Sequence, residues 1–175
     1  MRIAIPFALF ALALAGCTSL DGIPTERVGE VRLYFANGLP AGTGQLLSDG
    51  KTLSLAIAAT GLEPGEHGFH LHTTGLCTAP DFKSAGSHLN PATREHGSLN
   101  PQGKHLGDLP NLVVGASRST STEIDLGADT AALRETLFDD DGTAVVIHAG
   151  ADDYLSDPAG DAGSRVACGV LRETT

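Results

Sequence analysis

Short runs in which apolar and polar residues alternate recur along most of the chain, and that rhythm limits the fold more than any other feature. Val31, Leu33 and Phe35 alternate with Arg32, Tyr34 and Ala36. Leu53, Leu55 and Ile57 repeat the pattern, and His67 to His72 repeats it again. Weaker or more apolar runs follow at Gln45–Ser48, Leu112–Val114, Ser119–Leu126, Thr143–His148 and Arg165–Leu171. A period of two is that of a strand with one face buried. Asn37-Gly38, Asp49-Gly50 and Pro64-Gly65 punctuate the runs as turns. Many short strands with glycine-rich turns predict an all-β sandwich or barrel. Ala131 to Phe138 has the composition of a short helix and is read as a crossover between strands.

Two connections are too long for simple turns. One covers residues 73–109 and the other 149–164, and both are poor in apolar side chains. Connections of this length inside a compact domain are usually functional or disordered. The first holds three of the seven histidines, His88, His96 and His105, with Asp108 close behind. His70 and His72 are two apart in a predicted strand and so share a face. His148 ends the apolar run Ala144-Val145-Val146-Ile147. A nitrogen-rich set on a rigid sheet suits copper. Three imidazoles and a carboxylate suit tetrahedral zinc. The spacing suggests two metal sites, one on the sheet and one in the long connection.

The first residues read as an export signal. Arg2 precedes an uncharged apolar run, Ile3 to Ala15, that is too short to span a bilayer. The string LAGC at 14–17 resembles a bacterial lipobox. It implies a lipoprotein signal peptide over residues 1–16, cleavage before Cys17 and a lipid anchor on Cys17, with an ordinary secretory signal as the alternative. Residues 17–27 are then a lipidated polar tether, and 28–175 are the folded domain. Thr18 after the anchor resembles the pattern of lipoproteins sent to the outer membrane. The expected location is therefore the periplasm or cell envelope, with the membrane met through the lipid.

Without Arg2 the formal charge falls from −10 to −11. Such an acidic chain excludes a nucleic-acid partner, which needs clustered cations. Cys77 and Cys168 remain once Cys17 is set aside. In an oxidising compartment they form a disulfide, or else stay as two buried thiols. A bridge closing about ninety residues contributes roughly 4–5 kcal/mol at most.

Five strings, in order, resemble the copper/zinc superoxide dismutase family: GEHGFHLH at 65–72, SAGSHLNP at 84–91, REHG at 94–97, KHLGDLPNL at 104–112 and GDAGSRVACG at 160–169. The similarity runs from about residue 30 to 172. It implies an eight-stranded Greek-key β-barrel or sandwich with long metal-binding and electrostatic loops. It implies one copper per subunit, held by His70, His72, His88 and His148. One zinc per subunit is implied at His88, His96, His105 and Asp108, with His88 bridging the two ions. Asp152 is implied as the carboxylate joining a copper histidine to a zinc histidine. Cys77–Cys168 is implied as the disulfide, and Arg165 as the guide for the anion. His67 reads as a structural histidine bonded to backbone.

The activity implied is conversion of two superoxide anions to dioxygen and hydrogen peroxide, with His88 as bridge and proton donor beside Arg165. Lys83 adds to the attraction or is an ordinary solvated lysine. Asp161 stands where the family usually has Gly or Asn, and it adds a negative charge near the expected channel mouth. A non-catalytic copper- and zinc-binding protein would use the same ligands. Monomer and homodimer both remain open.

Overall fold

The computed structural model of the chain describes residues 25–174. The expected signal peptide, Cys17 and its lipid, and most of the tether lie outside the described residues. Where the description begins, the chain is already at a strand. β1 spans Glu26–Phe35, and Glu26 and Arg27 pair with Ser48 and Leu47. The last two residues of the expected tether thus belong to the sheet.

The remaining strands are β2 (Pro40–Ser48), β3 (Thr52–Thr60), β4 (Gly65–His72), β5 (Asp108–Val114), β6 (Ser119–Ala128), β7 (Ala144–His148), β8 (Arg165–Val170) and the two-residue β9 (Arg172–Glu173). Eight of them form one antiparallel sheet in the order β5-β4-β7-β8-β1-β2-β3-β6, curled into a nearly closed barrel. β9 pairs with β1 beside this path. The all-β expectation and the strand count both hold. The chain crosses between halves of the barrel from β3 to β4 and from β6 to β7. Among the described residues no helix is long and apolar enough to cross a membrane.

The alternation read in the sequence is the alternation of burial. Val31, Leu33, Leu53, Leu55, Ile57, Phe69, Leu71, Val145 and Ile147 all enter one core. At about 1.5–3 kcal/mol per fully buried large aliphatic or aromatic side chain, this core is the main source of stability. Alternate residues of β7 and β8, Ala144, Val146 and Cys168, form a second, smaller cluster with Phe82 and Ala85. That cluster is the bed on which the first long connection rests.

Two expectations are refined. The stretch 131–137 is a helix, α1 (Ala131–Leu137), in the crossover from β6 to β7. Thr130 caps it by accepting the Leu133 N–H at 3.1 Å. Arg134 grips Asp129 with two hydrogen bonds of 2.6 and 2.7 Å, and Asp129 also accepts from Ser48. The second refinement is at β5, which begins at Asp108 rather than Leu112. Polar Asp108 and Asn111 and the imino acid Pro110 hide the alternation there. Pro110 is tolerated because β5 stands at one end of the strand order, where a missing N–H costs no ladder bond.

The Cys77–Cys168 disulfide joins the first connection to β8 across 91 positions. Replacing both residues (Cys77→Ser with Cys168→Ser) is expected to lower the stability of the metal-free protein by about 2–4 kcal/mol in urea denaturation. An unchanged midpoint would contradict a role for the bridge in holding the connection to the sheet.

Candidate metal centre

Phe69 and Leu71 point into the core, so period two turns His70 and His72 to the other face of β4. β7 lies beside β4 with Phe69 opposite Ile147 and His70 opposite Val146. That register carries His148 to the same place. His88 arrives from the long connection through a bridge pairing with His72. The four side chains His70, His72, His88 and His148 bring one nitrogen each within 4.8 Å of one another, and all four are buried. His88, His96, His105 and Asp108 form a second such group, also wholly buried. His88 belongs to both.

Hydrogen bonds around the first group decide which nitrogens face inward. His72 Nδ1 donates to the Gly86 carbonyl at 3.0 Å, and His148 Nδ1 donates to the Gly163 carbonyl at 3.0 Å. His70 Nε2 lies 2.7 Å from Asp152 Oδ2. Each of these bonds commits one ring nitrogen as donor and leaves the opposite nitrogen to supply a lone pair to a ligand. Those opposite atoms are His70 Nδ1, His72 Nε2 and His148 Nε2. Together with His88 Nε2, they are buried without a hydrogen-bond partner. Buried polar atoms are normally paired. Four orphaned nitrogens aimed at one point fit a cation, and a set of four imidazoles fits copper.

The second group is arranged about one oxygen. Asp108 Oδ1 lies 2.8 Å from His88 Nδ1, 3.1 Å from His96 Nδ1 and 3.0 Å from His105 Nδ1. Four ligands at about 2.0 Å around tetrahedral zinc would be about 3.3 Å apart, so the spacing suits zinc with slight expansion. The other oxygen, Oδ2, accepts the backbone N–H groups of Gly97 and His105, both at 2.9 Å. This fixes the carboxylate and leaves Oδ1 toward the imidazoles. His96 Nε2 lies 3.0 Å from Asp152 Oδ1. One buried carboxylate, Asp152, therefore holds an imidazole of each group.

Burial favours neutral imidazoles at the sheet face. It lowers His72 to about 2, His148 to about 3 and His88 to about 4, and neighbouring rings add to the effect. His96 is the exception. Burial opposes its charge, but Asp108 and Asp152 overcome that and raise it to about 9. Asp108 and Asp152 are themselves held below the usual carboxylate range; burial opposes this, and their histidine partners prevail.

The expected site residues converge. Arg165 is half-buried opposite His148 in register, and donates to the Phe82 carbonyl at 2.7 Å and the Gly86 carbonyl at 2.6 Å. His67 bonds only to backbone, 2.7 Å from the His148 carbonyl and 2.8 Å from the Glu63 carbonyl. Lys83 matches the ordinary solvated lysine: its side chain is 83% exposed and lies 3.4 Å from Asp81. Asp161 is exposed with φ 50, a left-handed backbone that Asp adopts more readily than most residues. The carbonyls of Phe82, Gly86 and Gly163 carry no side-chain signal and were not legible in the sequence. Gly160 was also unmarked. Any Cβ there would overlap Asp152 Oδ1, and its φ is +62.

Comparison with known proteins agrees with this geometry. The family described as copper/zinc superoxide dismutase (SODC) matches residues 42–171. The superoxide dismutase-like protein YojM of Bacillus subtilis (strain 168) is 38% identical over 97% of this chain and 95% of its own length. Superoxide dismutase [Cu-Zn] 2 of Aquifex aeolicus (strain VF5) is 43% identical over 80% of this chain and 84% of its own. A crystal structure of a doubly substituted SOD-like protein from Bacillus subtilis superposes with a TM-score of 0.76 at 42% identity. It covers 81% of this chain and 95% of the other.

The buried imidazoles set a pH dependence for the metal-free protein. Below about 6.5 the unfolded chain takes up protons that His72, His148 and His88 refuse until about pH 4 to 2. Their contribution is full above 6.5 and is lost as pH falls. His96 acts in the opposite sense, but its loss lies between 6.5 and about 9. Metal-free protein is therefore expected to melt at steadily lower temperature from pH 6.5 to 4 in calorimetry. A flat profile over that window would contradict the burial of neutral rings.

Proposed function

The chain belongs to the copper/zinc superoxide dismutase family, and from that premise we propose that it disproportionates superoxide to dioxygen and hydrogen peroxide. In this reading His70, His72, His88 and His148 hold copper, and His88, His96, His105 and Asp108 hold zinc. The observation that carries it is the sharing of His88 between two buried groups, with orphaned lone pairs around one and a fixed carboxylate oxygen in the other. When bound, copper would supply one-electron exchange with superoxide, and zinc, which has no redox chemistry, would supply a fixed charge.

The chain's own groups do the rest. Asp152 orients His70 and His96 together and fixes their tautomers, as partners of metal-binding histidines do. His88 Nε2 is the atom at which a proton can be held beside the reacting oxygen. Arg165 places a cation beside the centre and is pinned by two carbonyls, so it has little freedom to swing away. The substrate is an anion and the chain is acidic, at −10 overall. Encounter therefore depends on the local field of Arg165 and the metal ions rather than on net charge; superoxide dismutases are a standing example of such focusing.

The reading extends to location. The LAGC string supports export and attachment of a lipid at Cys17, which would hold the domain at a bacterial envelope membrane.

Metal analysis beside a superoxide assay tests the proposal. One copper and one zinc per chain with dismutation is the expected result. Both metals bound without turnover would favour the carrier reading instead. Arg165→Glu is expected to lower the rate by about tenfold or more at low salt, with metal content unchanged. A rate equal to that of the unaltered protein would remove Arg165 from the anion path.

A further inference from the structure

Asp152 serves two imidazoles at once, and that demands a position fixed to a fraction of an ångström. Its carboxylate cannot supply this alone, because it sits on a long connection outside the strands. Two residues outside both histidine groups supply it. Asn111, on β5, faces the Asp152 backbone with both ends of its amide. Its Oδ1 accepts the Asp152 N–H at 2.9 Å, and its Nδ2 donates to the Asp152 carbonyl at 2.9 Å. The pair mimics one rung of a sheet between a strand and a loop.

Tyr154 closes the arrangement from the other side. Its backbone N–H donates to Asp152 Oδ1 at 2.6 Å. Its phenol oxygen accepts the Asn111 N–H at 2.7 Å. Its carbonyl accepts the Leu99 N–H at 2.9 Å, and it lies where any Cβ on Gly97 would be. Gly97 follows His96 directly. Tyr154 thus touches Asp152, β5 and the segment carrying His96. It holds φ 62, a left-handed backbone that is costly for an aromatic residue and persists only where surrounding contacts impose it.

We propose that Asn111 and Tyr154 are positioning residues. They clamp Asp152 between His70 and His96, so that the copper and zinc ligand sets are oriented as one unit. The proposal rests on the metal assignment above. Asn111 acts through the backbone of Asp152, and Tyr154 acts through its carboxylate and through Asn111. Neither donates to a metal ligand atom; Asn111 and the Tyr154 phenol reach the metal groups through Asp152.

The test is a double-mutant cycle read by zinc affinity, measured by competition with a chelator, and by the visible spectrum of the copper-loaded protein. Asn111→Ala and Tyr154→Phe are each expected to weaken zinc binding by about tenfold, the lower end of the effect of such partners. Each is also expected to shift the copper band, as His70 loses its fixed orientation. In an Asp152→Ala background neither change is expected to weaken zinc binding further. Asn111→Asp keeps the size and the acceptor for the Asp152 N–H while removing the donor to its carbonyl. It gives the same reading if Asn111→Ala does not fold. Losses that add to that of Asp152→Ala, or an unshifted copper band with native zinc affinity, would overturn the clamp. Native protein that holds no zinc would overturn the metal assignment as well. Native protein that holds zinc with variants indistinguishable from it would overturn the clamp alone.

Discussion

The three imidazoles on the sheet face each commit one ring nitrogen to a fixed acceptor, and the rest of the molecule is built around that constraint. Gly86 and Gly163 supply carbonyls to His72 and His148, and Asp152 supplies a carboxylate to His70. Each bond sets a tautomer and turns the remaining lone pair inward. Lone pairs converging in a buried site repel one another, and each is costly while it stays unpaired. A cation at their meeting point would satisfy all of them at once. The same reasoning governs Asp108, whose second oxygen is held by two backbone amides while the first faces three ring nitrogens.

The barrel supplies rigidity and the loops supply coverage. Phe69 and Leu71 of β4 and Val145 and Ile147 of β7 face the core, so His70, His72 and His148 face outward and would be wet without a lid. The long connections provide that lid, although they bury few apolar side chains of their own. They are held instead by local devices: the disulfide, the small cluster around Phe82 and Val146, and close backbone contacts at Gly160. These devices also reach the chemistry. The Phe82 and Gly86 carbonyls that receive Arg165 stand on the segment the disulfide ties to β8.

Much of this was legible in the chain before any coordinates. The alternation at Val31–Phe35 and Leu53–Ile57 marked strands because one face of each is buried against the core. His70 and His72 declared a shared face by their spacing. β5 was half hidden, since Pro110, Asn111 and Asp108 interrupt the pattern at an edge where sequence is less constrained. The residues of both histidine groups stood in the ordered strings, and their convergence followed once β4 and β7 paired in register and the long connection folded over them. The backbone acceptors were not readable, because a carbonyl belongs to every residue and only the fold selects which one is used. Tyr154 and Asn111 escaped for a related reason: each works through hydrogen bonds to a neighbour rather than through a chemistry its side chain announces. Lys83 was left open between two roles, because its charge was visible in the sequence while its neighbour Asp81 could be placed only by the fold.

The most direct measurement is anomalous diffraction from crystals of the metal-loaded protein, collected at the copper and zinc absorption edges. Two separate peaks are expected. Copper should lie among His70 Nδ1, His72 Nε2, His88 Nε2 and His148 Nε2, and zinc among His88 Nδ1, His96 Nδ1, His105 Nδ1 and Asp108 Oδ1. A single shared position, or peaks away from the His88 ring, would contradict it.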